Sequence, residues 1–426
     1  MSLHAADLPG VLAVTPLTSP PDVTMRPPGS KSITNRALIC AALAPGRSTL
    51  TGMLFADDTH AMLGAVRALG AAVEVDEAAK TVYVDGVDPR TATGEIRIDA
   101  RQSGTTGRFA LPAAALRPAR GIVDGSPQLR ARPFAVLVDA LRELGATVED
   151  LSEPGYLPLA VTGPVAGGKV ALPGHISSQY LSGLLMAGPL MADGLTVELT
   201  SPLVSVPYVE ATTAVMAAFG VTAEGLHVPP GAYHATEYDI EPDASAASYL
   251  LAAAAITGGR VSVEGLGTRS LQGDVRFADA LERMGARVER TERSITVTGT
   301  GELHGIDIDM ADISDTAQTL AAVAVFADSP TRVTGIGFIR RKETDRIRAV
   351  VTELRRAGLD AVEEEDGFVV NPGPPAPTAF DTYDDHRMAM SLALIGLRSP
   401  GIEIRDPRCV AKTYPAYFED LSRLAG

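Results

Sequence analysis

Arg142-Glu143-Leu144-Gly145, followed one residue later by Thr147-Val148-Glu149, is the stretch on which the fold turns. A glycine in that place fits the position just past a helix C-terminus, where the backbone needs a positive φ that only glycine adopts without strain. The residues after it alternate as a short strand does. Four more helix ends carry the same phrase: Arg67-Ala68-Leu69-Gly70, Ala217-Ala218-Phe219-Gly220, Glu282-Arg283-Met284-Gly285 and Arg355-Arg356-Ala357-Gly358. A run such as Ala72-Val73-Glu74-Val75 again follows most of them. The copies stand 65–75 residues apart, too long for a solenoid repeat and long enough for a small α/β unit.

A second phrase recurs inside each copy. A strand ends in a polar cluster and an Ala/Leu-rich helix begins at once: Gln102-Ser103-Gly104-Thr105, Ser177-Ser178-Gln179-Tyr180, Asp243-Ala244-Ser245, Asp315-Thr316-Ala317-Gln318 and Asp385-His386-Arg387-Met388. Ser, Asp and Thr there predict N-caps, because their oxygens accept the unpaired amide protons of a first turn. The unit reads β-α-β-α-β-β. A sixth copy comprises residues 30–43 and 48–50, closing with a helix over 58–69. Capping explains each polar residue singly. Their recurrence at matching places suggests helix N-termini gathered toward an anion.

Composition narrows the function classes. The chain has 426 residues, 46% hydrophobic, enough for one large or two ordinary domains. A formal charge of −15 argues against a general nucleic-acid or anionic-membrane binder, though not against a small anionic substrate. Two cysteines, Cys40 and Cys409, leave no disulfide framework and no Cys-based zinc site. Cys40 lies in the apolar run 37–43 and reads as core. No apolar stretch is long enough to span a bilayer; the longest, 246–256, reads as a buried helix ending at Thr257-Gly258-Gly259. The first twenty residues show no signal-peptide pattern, so a cytoplasmic protein is expected.

Four clusters carry chemistry. In Arg26-Pro27-Pro28-Gly29-Ser30-Lys31-Ser32-Ile33-Thr34-Asn35-Arg36 the Gly-Ser-Lys-Ser run is not a Walker A loop, which needs Gly directly before Lys and another five residues earlier; those positions are Ser30 and Met25. What remains is a helix start with Ser32 and Arg36 on one face, a phosphate or carboxylate site. Arg340-Arg341-Lys342-Glu343-Thr344-Asp345-Arg346 is expected to open a helix running to Leu354, with Lys342 and Arg346 one turn apart. The bland alternative is an exposed, salt-bridged helix start. In Asp384-Asp385-His386-Arg387 a His and an Arg begin an apolar helix after two carboxylates, a catalytic pattern. The last cluster is Lys412-Thr413-Tyr414-Pro415.

These phrases together resemble one family. Pro28-Gly29-Ser30-Lys31-Ser32 with Asn35-Arg36, Ser103-Gly104-Thr105, Arg132-Pro133, Ser177-Ser178-Gln179, Lys342-Glu343-Thr344-Asp345-Arg346, Asp385-His386-Arg387-Met388-Ala389-Met390 and Lys412-Thr413 are similar to the enolpyruvylshikimate-phosphate synthases. The resemblance runs from about residue 26 to 418. It implies an α/β fold of two similar domains, each of three β-α-β-α-β-β units, in the inside-out α/β barrel of the enolpyruvyl transferases. Residues 1–27 with 239–426 would form one domain, holding Asp315, Glu343, His386 and Lys412. Residues 28–238 would form the inserted one, holding most of the shikimate 3-phosphate site.

The resemblance also implies the chemistry: transfer of the enolpyruvyl group of phosphoenolpyruvate to the 5-hydroxyl of shikimate 3-phosphate, within aromatic amino-acid biosynthesis. Lys31, Gly104, Arg132, Gln179, Lys342, Arg346, Arg387 and Lys412 would meet phosphoenolpyruvate. Lys31, Ser32, Arg36, Ser177, Ser178, Gln179, Ser205, Tyr208, Asp315 and Lys342 would meet shikimate 3-phosphate. Two phosphates and two carboxylates sharing one site need such a set of cations. Asp315 is the expected base and Glu343 the expected acid, with His386 and Lys412 beside them. Cations next to Glu343 favour its ionised form, so Lys31 stays open as an alternative acid–base group. The chemistry needs no metal or organic cofactor, the expected state is a monomer, and glyphosate is the implied inhibitor. Gln102 and Phe338 depart from the family pattern, where Asn and a polar residue are common. Two rivals are weighed. A UDP-N-acetylglucosamine enolpyruvyl transferase would carry a catalytic Cys or Asp in a first-half loop, whereas Cys40 sits in an apolar helix. An inactive binding module on the same fold would have lost the cations.

Overall fold

A computed structural model describes residues 3–425 of the chain. It shows two compact units, one made of the chain up to Pro28 together with everything from Pro242 onward, the other of residues 29–241. Among the described residues each unit holds three small mixed sheets.

The repeat is plainest in residues 96–162. Strand Ile96–Asp99 leads through helix Gly104–Ala115 to the parallel strand Gly121–Asp124. Helices Pro127–Arg130 and Ala135–Glu143 follow, and then Thr147–Asp150 and Leu159–Thr162 close the sheet as an antiparallel hairpin. Asp307–Asp309, Thr331–Thr334, Gly367–Val370 and Ala361–Glu364 pair in the same order in the other unit. All five glycines of the first phrase follow helix ends with positive φ, from +77° at Gly358 to +113° at Gly70. Ser30, Ser103, Ser177, Asp243 and Asp385 each accept an amide proton as N-caps. Asp315 does not: it lies in a 3-10 turn, Ala311–Thr316, and helix Ala317–Ala324 starts without a side-chain cap.

The sixth copy borrows its leading strand. Asp22–Met25 runs into helix Lys31–Ala42, yet pairs in parallel with Arg260–Glu264. Glu237–Asp239 precedes helix Ala244–Thr257, yet pairs in parallel with Gly46–Thr51. Each unit thus completes a sheet with the strand that precedes the other unit's first helix. For the same reason the domain boundary expected between residues 238 and 239 falls after residue 241, since Glu237–Asp239 belongs with residues 29–241. Val11–Ala13 likewise completes the last sheet, antiparallel to Ile402–Arg405.

Helices at the centre of each unit are buried on all sides. Every residue of Gly104–Ala115 is buried, as is every residue of His386–Gly396, and only Thr257 of Ala244–Thr257 is partly exposed. A helix apolar all round belongs in a core. Small residues let these helices close: a Cβ on Gly183 would fall onto the Arg108 carbonyl of the neighbouring helix. Among the described residues no helix is long and apolar enough to cross a membrane.

Candidate active site

In the unit containing the chain ends, Arg346 is the hub. Helix Arg346–Arg356 begins at this residue, capped by Asp345, so the Arg346 guanidinium is delivered from a first turn into the interior, where it is 2% exposed. Its Nε donates to Asp385 Oδ2 (2.8 Å), Nη1 to Asp315 Oδ1 (3.1 Å) and Nη2 to Glu343 Oε2 (2.8 Å). Arg387 Nη2 donates to the second oxygen of Asp315 (2.7 Å). Lys412 Nζ stands 4.0 Å from Glu343 Oε1. Two carboxylates expected to move protons are therefore held on one buried guanidinium. Against the pull of burial, the three carboxylates drive the Arg346 pKa above its usual value.

His386 is 1% exposed, and among the described residues neither ring nitrogen has a hydrogen-bond partner. Burial first, and then the Arg387 charge, hold its pKa well below the usual histidine value. The imidazole is neutral at physiological pH, with Nδ1 3.5 Å from Asp385 Oδ1.

Two expectations about the second cluster fail. Lys342 and Arg346 do not share a helical turn: a 3-10 turn, Gly337–Arg341, comes first, and the helix starts only after the Asp345 cap and runs to Arg356. Arg340 fixes this break, donating to Asp345 (3.0 Å) and Glu363 (2.7 Å). The exposed reading is also wrong for Arg346. Lys342 Nζ lies 6.0 Å from the centre of the Phe338 ring, so the residue that departs from the family pattern faces a lysine expected to meet both ligands.

In residues 29–241, helix Lys31–Ala42 carries Lys31, whose Nζ is 3.7 Å from Asp58 Oδ2, and Arg36. Arg36 donates to Ser32 O (2.9 Å), Thr212 Oγ1 (2.7 Å) and Tyr208 O (3.0 Å). Burial lowers its pKa to about 10, and it remains a cation at neutral pH. It therefore ties Ser32 and Tyr208 together as expected neighbours. Ser205, at φ +57°, starts the helix that bears Tyr208.

Gly104, Arg132 and Gln179 come together through Arg108, which the sequence reading did not single out. Arg108 Nη1 donates to Gln179 Oε1 (3.2 Å) and Gly104 O (3.3 Å), and its guanidinium lies 4.8 Å from the Phe134 ring centre and 5.3 Å from that of Tyr180. A Cβ on Gly104 would stand 2.5 Å from Arg108 Nη1 and 2.8 Å from Arg132 Nη1, so glycine lets both guanidiniums close over the helix start. Ser177 caps helix Ser178–Ala187, presenting Ser178 and Gln179 in its first turn.

Asp274 was also missed. It is 4% exposed, accepts a short hydrogen bond from Ser245 Oγ, and its pKa is raised to about 6 by burial and by the charge of Asp315. Nothing in Gln272-Gly273-Asp274 marks it. Its chemistry comes from neighbours distant in sequence.

Cys40 is fully buried, with its thiol pKa pushed up to about 12 by burial, which makes it an inert core group. Among the described residues no cluster of His, Cys, Asp and Glu is placed to hold a metal ion.

Two units of three repeats, with buried cations and carboxylates at their helix starts, define the enolpyruvyl transferase fold. A solved EPSP synthase from Acinetobacter baumannii superposes with a TM-score of 0.82 at 28% identity, over 97% of this chain and 98% of that one. The enolpyruvyl transferase NikO from Streptomyces tendae shares the fold at a TM-score of 0.76 and 19% identity, over 97% of both chains. A family model described as EPSP synthase (3-phosphoshikimate 1-carboxyvinyltransferase) matches residues 18–421. Proteins named 3-phosphoshikimate 1-carboxyvinyltransferase are 42% identical in Trichormus variabilis, over 97% of this chain and 99% of that protein, and 43% identical in Serratia proteamaculans, over 94% and 96%. The chain belongs to the EPSP synthase family.

Proposed function

We propose that the chain transfers the enolpyruvyl group of phosphoenolpyruvate to the 5-hydroxyl of shikimate 3-phosphate and releases phosphate, a step toward chorismate and the aromatic amino acids. In a chain of this family, the observation that carries the reading is the buried Arg346 shared by Asp315 and Glu343. Reaction at C2 of phosphoenolpyruvate needs a base at the attacking hydroxyl and an acid at the C3 methylene. Asp315 takes the hydroxyl proton as oxygen bonds to C2, and Glu343 protonates C3, giving a tetrahedral intermediate. Breaking its C–O bond to phosphate and losing a proton from the new methyl group restores the double bond. Lys31, Arg132, Arg346, Arg387 and Lys412 offset the charge of the leaving phosphate and the carboxylate, with Lys342, Gln179 and the Gly104 backbone beside them. Ser32, Ser177, Ser178, Ser205 and Tyr208 hold the sugar acid, with Arg36 fixing Ser32 and Tyr208. Neutral His386 serves as a hydrogen-bonding or proton-accepting group next to Glu343, and Lys31 is the second acid–base candidate.

The enzyme works as a cytoplasmic monomer, and glyphosate competes with phosphoenolpyruvate. The test is phosphate release from phosphoenolpyruvate with either shikimate 3-phosphate or UDP-N-acetylglucosamine as acceptor. Release with the first acceptor alone is expected. Release with the second alone would move the reaction to cell-wall precursors, and release with neither from folded protein would sink the reading.

A further inference from the structure

The turn leading into helix His386–Gly396 is strained at its centre. Asp385 N donates to Thr382 O (2.9 Å), and the two residues between, Tyr383 (φ +57°) and Asp384 (φ +54°), are both left-handed. Two positive φ values in succession are the signature of a type I′ turn, favoured by Gly, Asn and Asp and not by an aromatic residue. Tyr383 is 42% exposed, so burial of its ring does not hold it there.

Glu353 does. This carboxylate is 0% exposed, on helix Arg346–Arg356. Its Oε1 accepts from Tyr383 OH (2.6 Å) and its Oε2 from Asp381 N (2.9 Å), while Arg356 Nη1 donates to both oxygens (3.1 and 2.9 Å). Arg356 also reaches Asp381 Oδ2 (2.5 Å) and Ala379 O (3.1 Å). Two helical turns before Glu353, on the same face, Arg346 bonds Asp385. One helix therefore grips the turn at both ends, with Glu353 on residues 381–383 and Arg346 on 385. Asp385 in turn accepts from Arg387 N (2.9 Å) and caps the helix that carries His386 and Arg387.

We propose that Glu353, acting through Tyr383, is a positioning residue that sets this strained turn so that Asp385 meets Arg346 and the His386–Arg387 helix start is held in register. Its kinetic consequence rests on the function proposed above; its structural consequence does not. The experiment uses the full chain with Tyr383→Phe, which removes one hydroxyl from an exposed ring, and Glu353→Gln as the second variant. In Tyr383→Phe, amide hydrogen exchange at Asp385 and Arg387 is expected to quicken about tenfold over wild type. The KM for phosphoenolpyruvate rises about fivefold, with the KM for shikimate 3-phosphate and the thermal midpoint unchanged. Glu353→Gln shows the same pattern more strongly if it folds. Unchanged exchange at 385–387 in Tyr383→Phe overturns the proposal. So does faster exchange accompanied by a lower midpoint and an unaltered KM, which would mean plain stability. A wild type that releases no phosphate removes the proposed function, and the exchange result still decides the role of Glu353.

Discussion

At Asp274 burial turns an ordinary carboxylic acid into one that holds its proton close to neutrality. Its pKa is raised to about 6, chiefly by burial and next by Asp315, against roughly 3.9 in the unfolded chain. The folded state therefore binds the proton more tightly, and this group destabilises the fold above pH 6, less so as pH falls from 6 to 4. A shift of that size corresponds to about 3 kcal/mol. Asp274→Asn is expected to raise the thermal midpoint at pH 7.5, to raise it less at pH 5, and to leave it unchanged below pH 4. His386 works in the opposite direction, since its lowered pKa costs stability as pH falls below about 6.5, but it is common to both proteins and cancels in the comparison. A midpoint gain independent of pH would show that Asp274 is not titrating as described. At this scale the sequence was informative about which residue types matter and silent about what surrounds them. Lys31, Arg346 and Arg387 were legible because they stand in dense motifs. Arg108 and Asp274 were not, because an arginine lying against Phe134 and Tyr180, or an acid beside Asp315, is defined by contacts across the fold.

Helix ends were the most legible elements, because the condition they meet is local. A positive φ just past a helix selects glycine whatever lies beyond it, so the five phrases could be found without knowing the packing. The same logic gives opposite signs for one substitution at two glycines of the second unit. Gly145 has φ +101°, and a Cβ there would meet nothing closer than Ala166 N at 3.7 Å, so Gly145→Ala suffers backbone strain alone. The expected cost is about 1–2 kcal/mol. Gly64 lies inside helix Asp57–Ala68, and a Cβ there would have no atom within 4 Å, so Gly64→Ala should stabilise by about 0.5–1 kcal/mol. Urea unfolding of both variants measures the pair, and equal signs would refute the argument. The start of helix Arg346–Arg356 was misplaced for the complementary reason. Its boundary is set by Asp345 held by Arg340, and Arg340 is itself placed by Glu363 on a later strand.

For the whole molecule, the exchanged strands decide what can fold alone. Pairing between Asp22–Met25 and Arg260–Glu264 joins residues more than half the chain apart, and no local pattern reveals such a partner. Hence the repeat was visible in the sequence while the exchange was not. Within residues 29–241 the leading strand Glu237–Asp239 is present, and Ser30 N donates to Glu241 O (2.9 Å), which brings the two ends of that unit together. The remaining unit is closed in the same way, by Asp243 N donating to Pro28 O (2.8 Å). A fragment of residues 29–241 therefore has all three of its sheets and is expected to unfold cooperatively in urea. Residues 242–426 expressed alone lack Asp22–Met25 and Val11–Ala13, leaving two sheets with unpaired edges over apolar surface, and should aggregate or remain partly unfolded. Joining residue 28 to residue 242 through a short glycine linker restores both strands and should restore cooperative unfolding. If residues 242–426 alone melt as sharply as the linked form, the two N-terminal strands are dispensable and the exchange is not what holds that unit together.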